Sequence, residues 1–170
     1  MEADAAVTSA GESRLEALYS THVRGAIRLA YLMTGDEQQA QDIAQEAFTR
    51  IAARFQDLRN PDAFPGYLRS TVLNLSRGHL RRLRTQRNYV KRSTSDEAET
   101  LRDDAEGRDE MWRALLRLPH RQRAALVLRY YEDLSEQQAA DALQCSLPAL
   151  KSLVTRGLQA LRAEVEGEAR

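Results

Sequence analysis

A single cysteine, Cys145, stands in 170 residues, so no intrachain disulfide and no cluster of metal-binding thiolates is available. That usage fits a reducing cytoplasm. No apolar run approaches the roughly 18 residues of a membrane span. The acidic start, Met1–Asp4, lacks the charged-then-apolar plan of a signal peptide, so a soluble, cytoplasmic protein is expected. Glycine (8) and proline (4) are few and strand-like alternation is nearly absent, which excludes a sheet-rich fold. His22, His79 and His120 are far apart and offer no metal-ligand spacing. The chain also lacks a glycine-rich phosphate loop, a nucleophile–base pair and a paired-acid constellation. No catalytic site, metal or cofactor is therefore expected.

The most informative absence is local. Between Asp62 and Asp96 there is no acidic side chain, although the formal net charge of the chain is zero. Residues 63–95 hold eight basic groups, and residues 96–110 hold eight acidic groups against Arg102 and Arg108. At about 100° per residue the acid-free stretch separates into two faces. Phe64, Leu68, Val72, Leu75, His79 and Leu83 form an apolar stripe, while Arg69, Asn74, Arg77, Arg81 and Arg84 lie opposite. Such a helix packs with one side and offers the other to a polyanion or to solvent.

The rest of the chain reads as helices throughout, an all-α protein. Residues 1–12 are small and polar and are expected to be disordered. From Ser13 the positions Leu15, Leu18, Tyr19, Val23, Ala26, Ile27 and Ala30 mark a helix that Gly35 stops. Asp36 and Gln39 have the spacing of a capping box. Ala40, Ile43, Ala44, Ala47, Phe48, Ile51, Ala52 and Phe55 then repeat at three and four without a miss. Gln56–Pro61 reads as a loop, Asp62 as the cap of the basic helix, and Pro65 as tolerated in its first turn. That helix is expected to end near Arg87. Ser93–Asp109, polar and acidic with a single Leu101, reads as a flexible linker.

A second unit starts near Glu110, with Met111, Trp112, Leu115, Leu116 and Leu118 on a helix that Pro119 ends. Arg121–Glu132 is expected to be helical, with Ala124, Ala125, Leu128 and Tyr131 inward. Ser135 caps a short helix, Glu136–Leu143, with paired Ala139 and Ala140. After the turn Gln144-Cys145-Ser146, Ser146 caps a longer helix to about Ala163, with Leu147, Leu150, Val154, Leu158 and Leu161 inward. Short helix, tight turn and longer helix make a helix-turn-helix, whose second helix enters the major groove. Its outward Lys151, Ser152, Thr155, Arg156 and Arg162 are side-chain types that meet phosphates and base edges.

The stretches "GDEQQAQDIAQEAFTRI", "AFPGYLRSTVLNLSRGHLRR" and "LPHRQRAALVLRYYEDLSEQQAADALQCSLPALKSLVTRGLQALR" carry a resemblance. Over roughly residues 15–88 and 110–163 the chain resembles the extracytoplasmic-function (group IV) class of bacterial RNA polymerase sigma factors, in the sigma-70 family, and within it the SigE-like subgroup. The resemblance implies a sigma-2 three-helix domain at 13–92, an acidic linker at 93–109 and a sigma-4 helix-turn-helix domain at 110–165. It implies promoter-directed transcription initiation with core RNA polymerase, docked through the β′ clamp coiled coil and the β flap. It also implies an anti-sigma factor as a partner, and no membrane insertion.

By residue, the resemblance assigns Asp42, Gln45, Glu46 and Phe48 to polymerase docking. It assigns Tyr67, Arg69, Asn74, Arg77, Arg81 and Arg82 to the −10 element, with the loop at about Gln56–Ala63 capturing a flipped base. Arg129, Lys151, Ser152, Thr155 and Arg156 match the positions that read the −35 element. Tyr67 replaces the family's usual Trp, and Gly78 stands where Asp is frequent. Leu153 lacks the usual basic side chain, and Gln144 sits in a turn that usually holds Gly. These departures bear on promoter preference rather than on the class. Two other readings fit parts of the chain: a stand-alone helix-turn-helix regulator, or a helical adaptor that binds no DNA.

Overall fold

The computed structural model describes residues 2–54, 61–93 and 110–168. Regular structure among them is entirely helical: α1 (Glu2–Thr34), α2 (Glu37–Ala52), α3 (Phe64–Ser93), α4 (Glu110–Arg117), α5 (His120–Leu126), α6 (Glu136–Ala142) and α7 (Leu147–Glu168). The segment expected to act as a linker lies outside the described residues except at its first residue, Ser93, which closes α3. Phe55 and the loop expected at 56–60 lie outside them as well.

Helix α1 begins at Glu2, not at Ser13. The first dozen residues are rich in alanine, the best helix former. At its other end, Gly35 takes a left-handed φ of +75° and its amide donates to Tyr31 O at 2.8 Å. Asp36 then caps α2, its Oδ1 accepting from the Gln39 amide at 2.9 Å. Helix α2 buries Ala40, Ile43, Ala44, Ala47, Phe48 and Ile51, the stripe its spacing predicts. Asp62 lies inside a 3₁₀ turn, Pro61–Ala63, that runs directly into α3, so it does not occupy the helix cap. Helix α3 continues past Arg87 to Ser93 and buries Phe64, Leu68, Val72 and Leu75 against α1 and α2.

In the second unit, α5 continues into a π turn, Val127–Tyr131, closed by the Glu132 amide on Val127 O at 2.9 Å. The extra residue in that turn shifts the helical phase. Tyr131, expected inward, is consequently 48 % exposed. Ser135 and Gln138 form a reciprocal capping box at the start of α6. Ser146 Oγ accepts from Ala149 N at 3.3 Å at the start of α7. Between them Gln144 is held at φ +50°, the left-handed conformation that a glycine would take more readily in that turn. On α7, Leu158 is exposed where burial was expected, and Gly157 is buried in its place. A Cβ on Gly157 would stand 3.3 Å from the Gln122 carbonyl, so α5 and α7 approach closely there.

The two units share one contiguous core. Tyr31 of α1 stacks on Trp112 of α4 with ring centroids 5.1 Å apart. Leu116 Cδ1 lies 2.8 Å from where a Cβ on Gly35 would be. Arg123, only 5 % exposed, donates through its guanidinium to Met33 O, Leu116 O and, at 3.1 Å, Leu118 O. Burial pushes its pKa down to about 10, which leaves it cationic at neutral pH. Its three acceptors lie at or just past the C-terminal ends of α1 and α4, where helix dipoles favour a cation.

His120 lies close to this junction. Burial, and then the guanidiniums of Arg123, Arg77 and Arg121, push its pKa down to about 4 from an ordinary 6.5. The unfolded chain therefore takes up this proton first as pH falls. The stability associated with neutral His120 is fully present above pH 6.5 and is lost as pH falls towards 4. Urea unfolding at pH 7 and pH 4 is expected to show a loss of up to about 3 kcal/mol from this group. The His120→Gln chain should show a correspondingly smaller drop between the two pH values.

Candidate nucleic-acid interface

The helix spacing of α3 sorts its side chains into a packed stripe and a basic face. Tyr67 is 57 % exposed, and Asn74, Arg77, Arg81 and Arg82 are exposed with it. They form a cationic face with an aromatic at its N-terminal end and an amide among the guanidiniums. Opened DNA strands demand this combination of phosphate neutralisation with groups that receive unstacked bases. His79 adds no charge at neutral pH, because burial and then Arg82 lower its pKa, against a smaller opposing effect of Asp36. Arg69 departs from the face. It is half-buried, with Nε 3.5 Å from Glu132 Oε2 of the second unit.

The second surface is built by the capped turn between α6 and α7. Lys151, Ser152, Thr155 and Arg156 are exposed along one side of α7. Arg156 Nη2 donates to Ser152 Oγ at 2.8 Å, and Thr155 Oγ1 donates to Lys151 O at 3.0 Å. Lys151 Nζ lies 3.3 Å from Glu136 Oε2. Arg129 is half-buried and donates to Leu134 O, which fixes the turn leading into α6. A concavity of about 270 Å³ opens between the π turn and α7, lined by Arg129, Tyr130, Glu136, Lys151 and Thr155 among others.

Tyr130, 63 % exposed in that concavity, escapes a reading from periodicity, because a regular helix gives no hint of the phase slip that turns it outward. Arg123 escapes it too. A charged residue in "HRQR" gives no sign that it is the one to be buried.

On α2, Asp42, Gln45 and Glu46 are exposed on one face. Gln38 Nε2 donates to Asp42 Oδ1 at 3.4 Å, and Glu46 pairs with Arg50 at 2.5 Å. Phe48 does not belong to this face. It is 6 % exposed, edge-on to Tyr19 at 4.8 Å and tilted against Phe64 at 6.0 Å, so its ring is part of the core. The docking assignment that the resemblance gives Phe48 thus falls on a ring packed in the core. Among the described residues no group of three or more His, Cys, Asp or Glu side chains is arranged to hold a metal ion, and no helix is long and apolar enough to cross a membrane.

The sequence matches the family model for Sigma-70 region 2 over residues 18–86 and that for Sigma-70, region 4 over residues 108–161. It is 31% identical over 141 residues to the RNA polymerase sigma-H factor of Pseudomonas aeruginosa, covering 74% of this chain and 72% of the relative. It is 30% identical over 166 residues to the ECF RNA polymerase sigma factor SigE of Mycolicibacterium smegmatis, covering 94% of this chain but 64% of that longer protein. In three dimensions it is similar to the sigma factor RpoE of Bartonella quintana, solved in complex with the anti-sigma factor NepR. The TM-score is 0.69 at 18% identity, over 89% of this chain and 96% of the other.

The placement of Phe48 and Asp42 separates stability from surface function. Phe48→Ala is expected to cost about 3–5 kcal/mol of stability in chemical unfolding. Asp42→Ala should stay within about 0.5 kcal/mol of the parent.

Proposed function

The chain belongs to the sigma-70 family of RNA polymerase sigma factors, in its extracytoplasmic-function class, and on that premise we propose that it binds core RNA polymerase and directs promoter-specific initiation. The observation that carries this reading is the pairing, on one chain, of two different DNA-facing surfaces. One is an exposed, Asn-bearing basic face on α3; the other is a capped helix-turn-helix whose α7 presents Lys151, Ser152, Thr155 and Arg156. A stand-alone regulator needs only the second. The adaptor reading gives a role to neither.

In this proposal residues 13–92 form the polymerase-docking and −10 unit, 93–109 the tether and 110–165 the −35 unit. Asp42, Gln45 and Glu46 dock on the β′ clamp coiled coil, and the second unit meets the β flap. Tyr67, Asn74, Arg77, Arg81 and Arg82 hold the opened −10 strand, joined by Arg69 once Glu132 releases it. Lys151, Ser152, Thr155 and Arg156 meet the −35 duplex. Arg129 supports them by holding the turn before α6. The catalytic chemistry belongs to the polymerase, and the protein works in the cytoplasm with it. An anti-sigma factor is the expected negative partner, as NepR is for the Bartonella protein.

In-vitro transcription over a pool of genomic promoter fragments tests the reading. Core polymerase with this chain should yield discrete transcripts, and an Asp42→Ala, Glu46→Ala chain should lose them at least tenfold while remaining folded. On a duplex bearing the −35 element recovered in this way, Lys151→Ala should flatten the salt dependence of binding by about one counterion. Absence of transcripts, with tight duplex binding by the chain alone, would instead identify a polymerase-independent regulator.

A further inference from the structure

The concavity beside α7 is lined by cations, an aromatic and apolar side chains, except at one point. Glu136 is the only acid among the described residues that line it. The capping box of Ser135 and Gln138 fixes Glu136 as the first residue of α6. From there its Oε2 stands 3.3 Å from Lys151 Nζ on α7. Helix α7 itself carries no acid before Glu164. A carboxylate from the neighbouring helix therefore reaches into a side of α7 that is otherwise free of acids.

Folding does not account for this placement. The Lys151 and Glu136 side chains are 59 % and 46 % exposed, and water and salt screen a pair of that kind, so it contributes little to stability. Towards DNA its effect is larger. A lysine whose charge is already balanced gains less from a phosphate and releases less of the counterion atmosphere when it binds one. The pair thus weakens binding that depends on phosphates alone.

At a guanine the balance differs. Its major-groove edge presents two adjacent acceptors, N7 and O6, whereas adenine sets an N6 amino group beside N7. An ammonium has three N–H donors. Lys151 can donate to both guanine acceptors and keep its third N–H on Glu136, but adenine meets it with a like donor. Without the carboxylate, the ammonium is free to settle on the nearest phosphate of any sequence.

We infer that Glu136 sets the specificity of the helix-turn-helix, holding Lys151 for a guanine of the −35 element and away from phosphates elsewhere. It is a positioning residue, since it acts through Lys151. This inference rests on the reading of α7 as the −35 surface.

Binding of the full chain to two labelled duplexes tests it. One bears the −35 element recovered above, and the other holds the same bases in scrambled order. Glu136→Gln keeps the size and an acceptor but removes the charge. It should bind the scrambled duplex at least threefold more tightly than the parent, with a salt dependence steeper by about one counterion. Its discrimination between the two duplexes should fall at least threefold. The element should contain a guanine whose exchange for adenine costs the parent at least tenfold and the Glu136→Gln chain less than threefold. Glu166→Gln, on an exposed pair with Arg162 of the same helix, should change none of these.

A merely structural role is separated by coupling. In a Lys151→Ala background, Glu136→Gln should alter discrimination less than twofold. Discrimination unchanged by Glu136→Gln, or lost to the same extent without Lys151, would overturn the inference. Lys151→Ala and Arg156→Ala tell its failure from that of the underlying reading. If they weaken binding to the −35 duplex while Glu136→Gln leaves discrimination unchanged, this inference alone falls. If they leave that binding unchanged, the −35 reading falls and the inference with it.

Discussion

The arrangement of this molecule depends on one buried cation. Arg123 brings its guanidinium to the point where α1 and α4 end, and there it meets backbone carbonyls that have no intrahelical donor. A hydrogen bond to a charged donor contributes about 1.5–3 kcal/mol, while removing the cation from water costs several kcal/mol. The two effects are of similar size, so the net contribution of the site is small. Its effect on geometry is larger. A planar guanidinium with donors in a fixed fork can satisfy carbonyls from both units only when both are in place.

Other contacts fall into place around that point. Gly35 lets α1 stop and leaves room for Leu116, and Tyr31 and Trp112 stack alongside. His120 stays neutral beside three guanidiniums. From this junction the α1–α3 flank receives Tyr131, Glu132 and the end of α6. The basic face of α3 turns away with Tyr67, Asn74, Arg81 and Arg82 exposed. One surface is thus committed to the chain itself and an adjoining basic one is left exposed.

Much of this was legible in the sequence wherever local physics decides. The α2 stripe, the Gly35 stop, the Ser135 capping box and the left-handed Gln144 turn each follow from spacing or from the conformational preference of one residue. The exposed Lys151, Ser152, Thr155 and Arg156 of α7 follow from the same periodicity. What stayed hidden depends on tertiary context. Phe48 lies on both the apolar stripe and the stretch matched to docking, and only packing against Tyr19 and Phe64 decides between them. The π turn inserts a phase slip that no regular period reports, so Tyr130 and Tyr131 point where a uniform helix would not put them. Arg69 sits on the basic face by helical angle, and its diversion to Glu132 requires knowing that the second unit lies beside it.

Two different exposed surfaces on one chain, the basic face of α3 and the outward side of α7, are what the sigma-factor reading needs to be used together. In-vitro transcription with core polymerase measures this directly, with the parent chain beside an Asn74→Ala, Arg81→Ala chain and a Lys151→Ala, Arg156→Ala chain. The parent should give discrete transcripts, and each double variant should lose them at least tenfold while remaining folded. Unchanged transcription by either double variant would contradict the account.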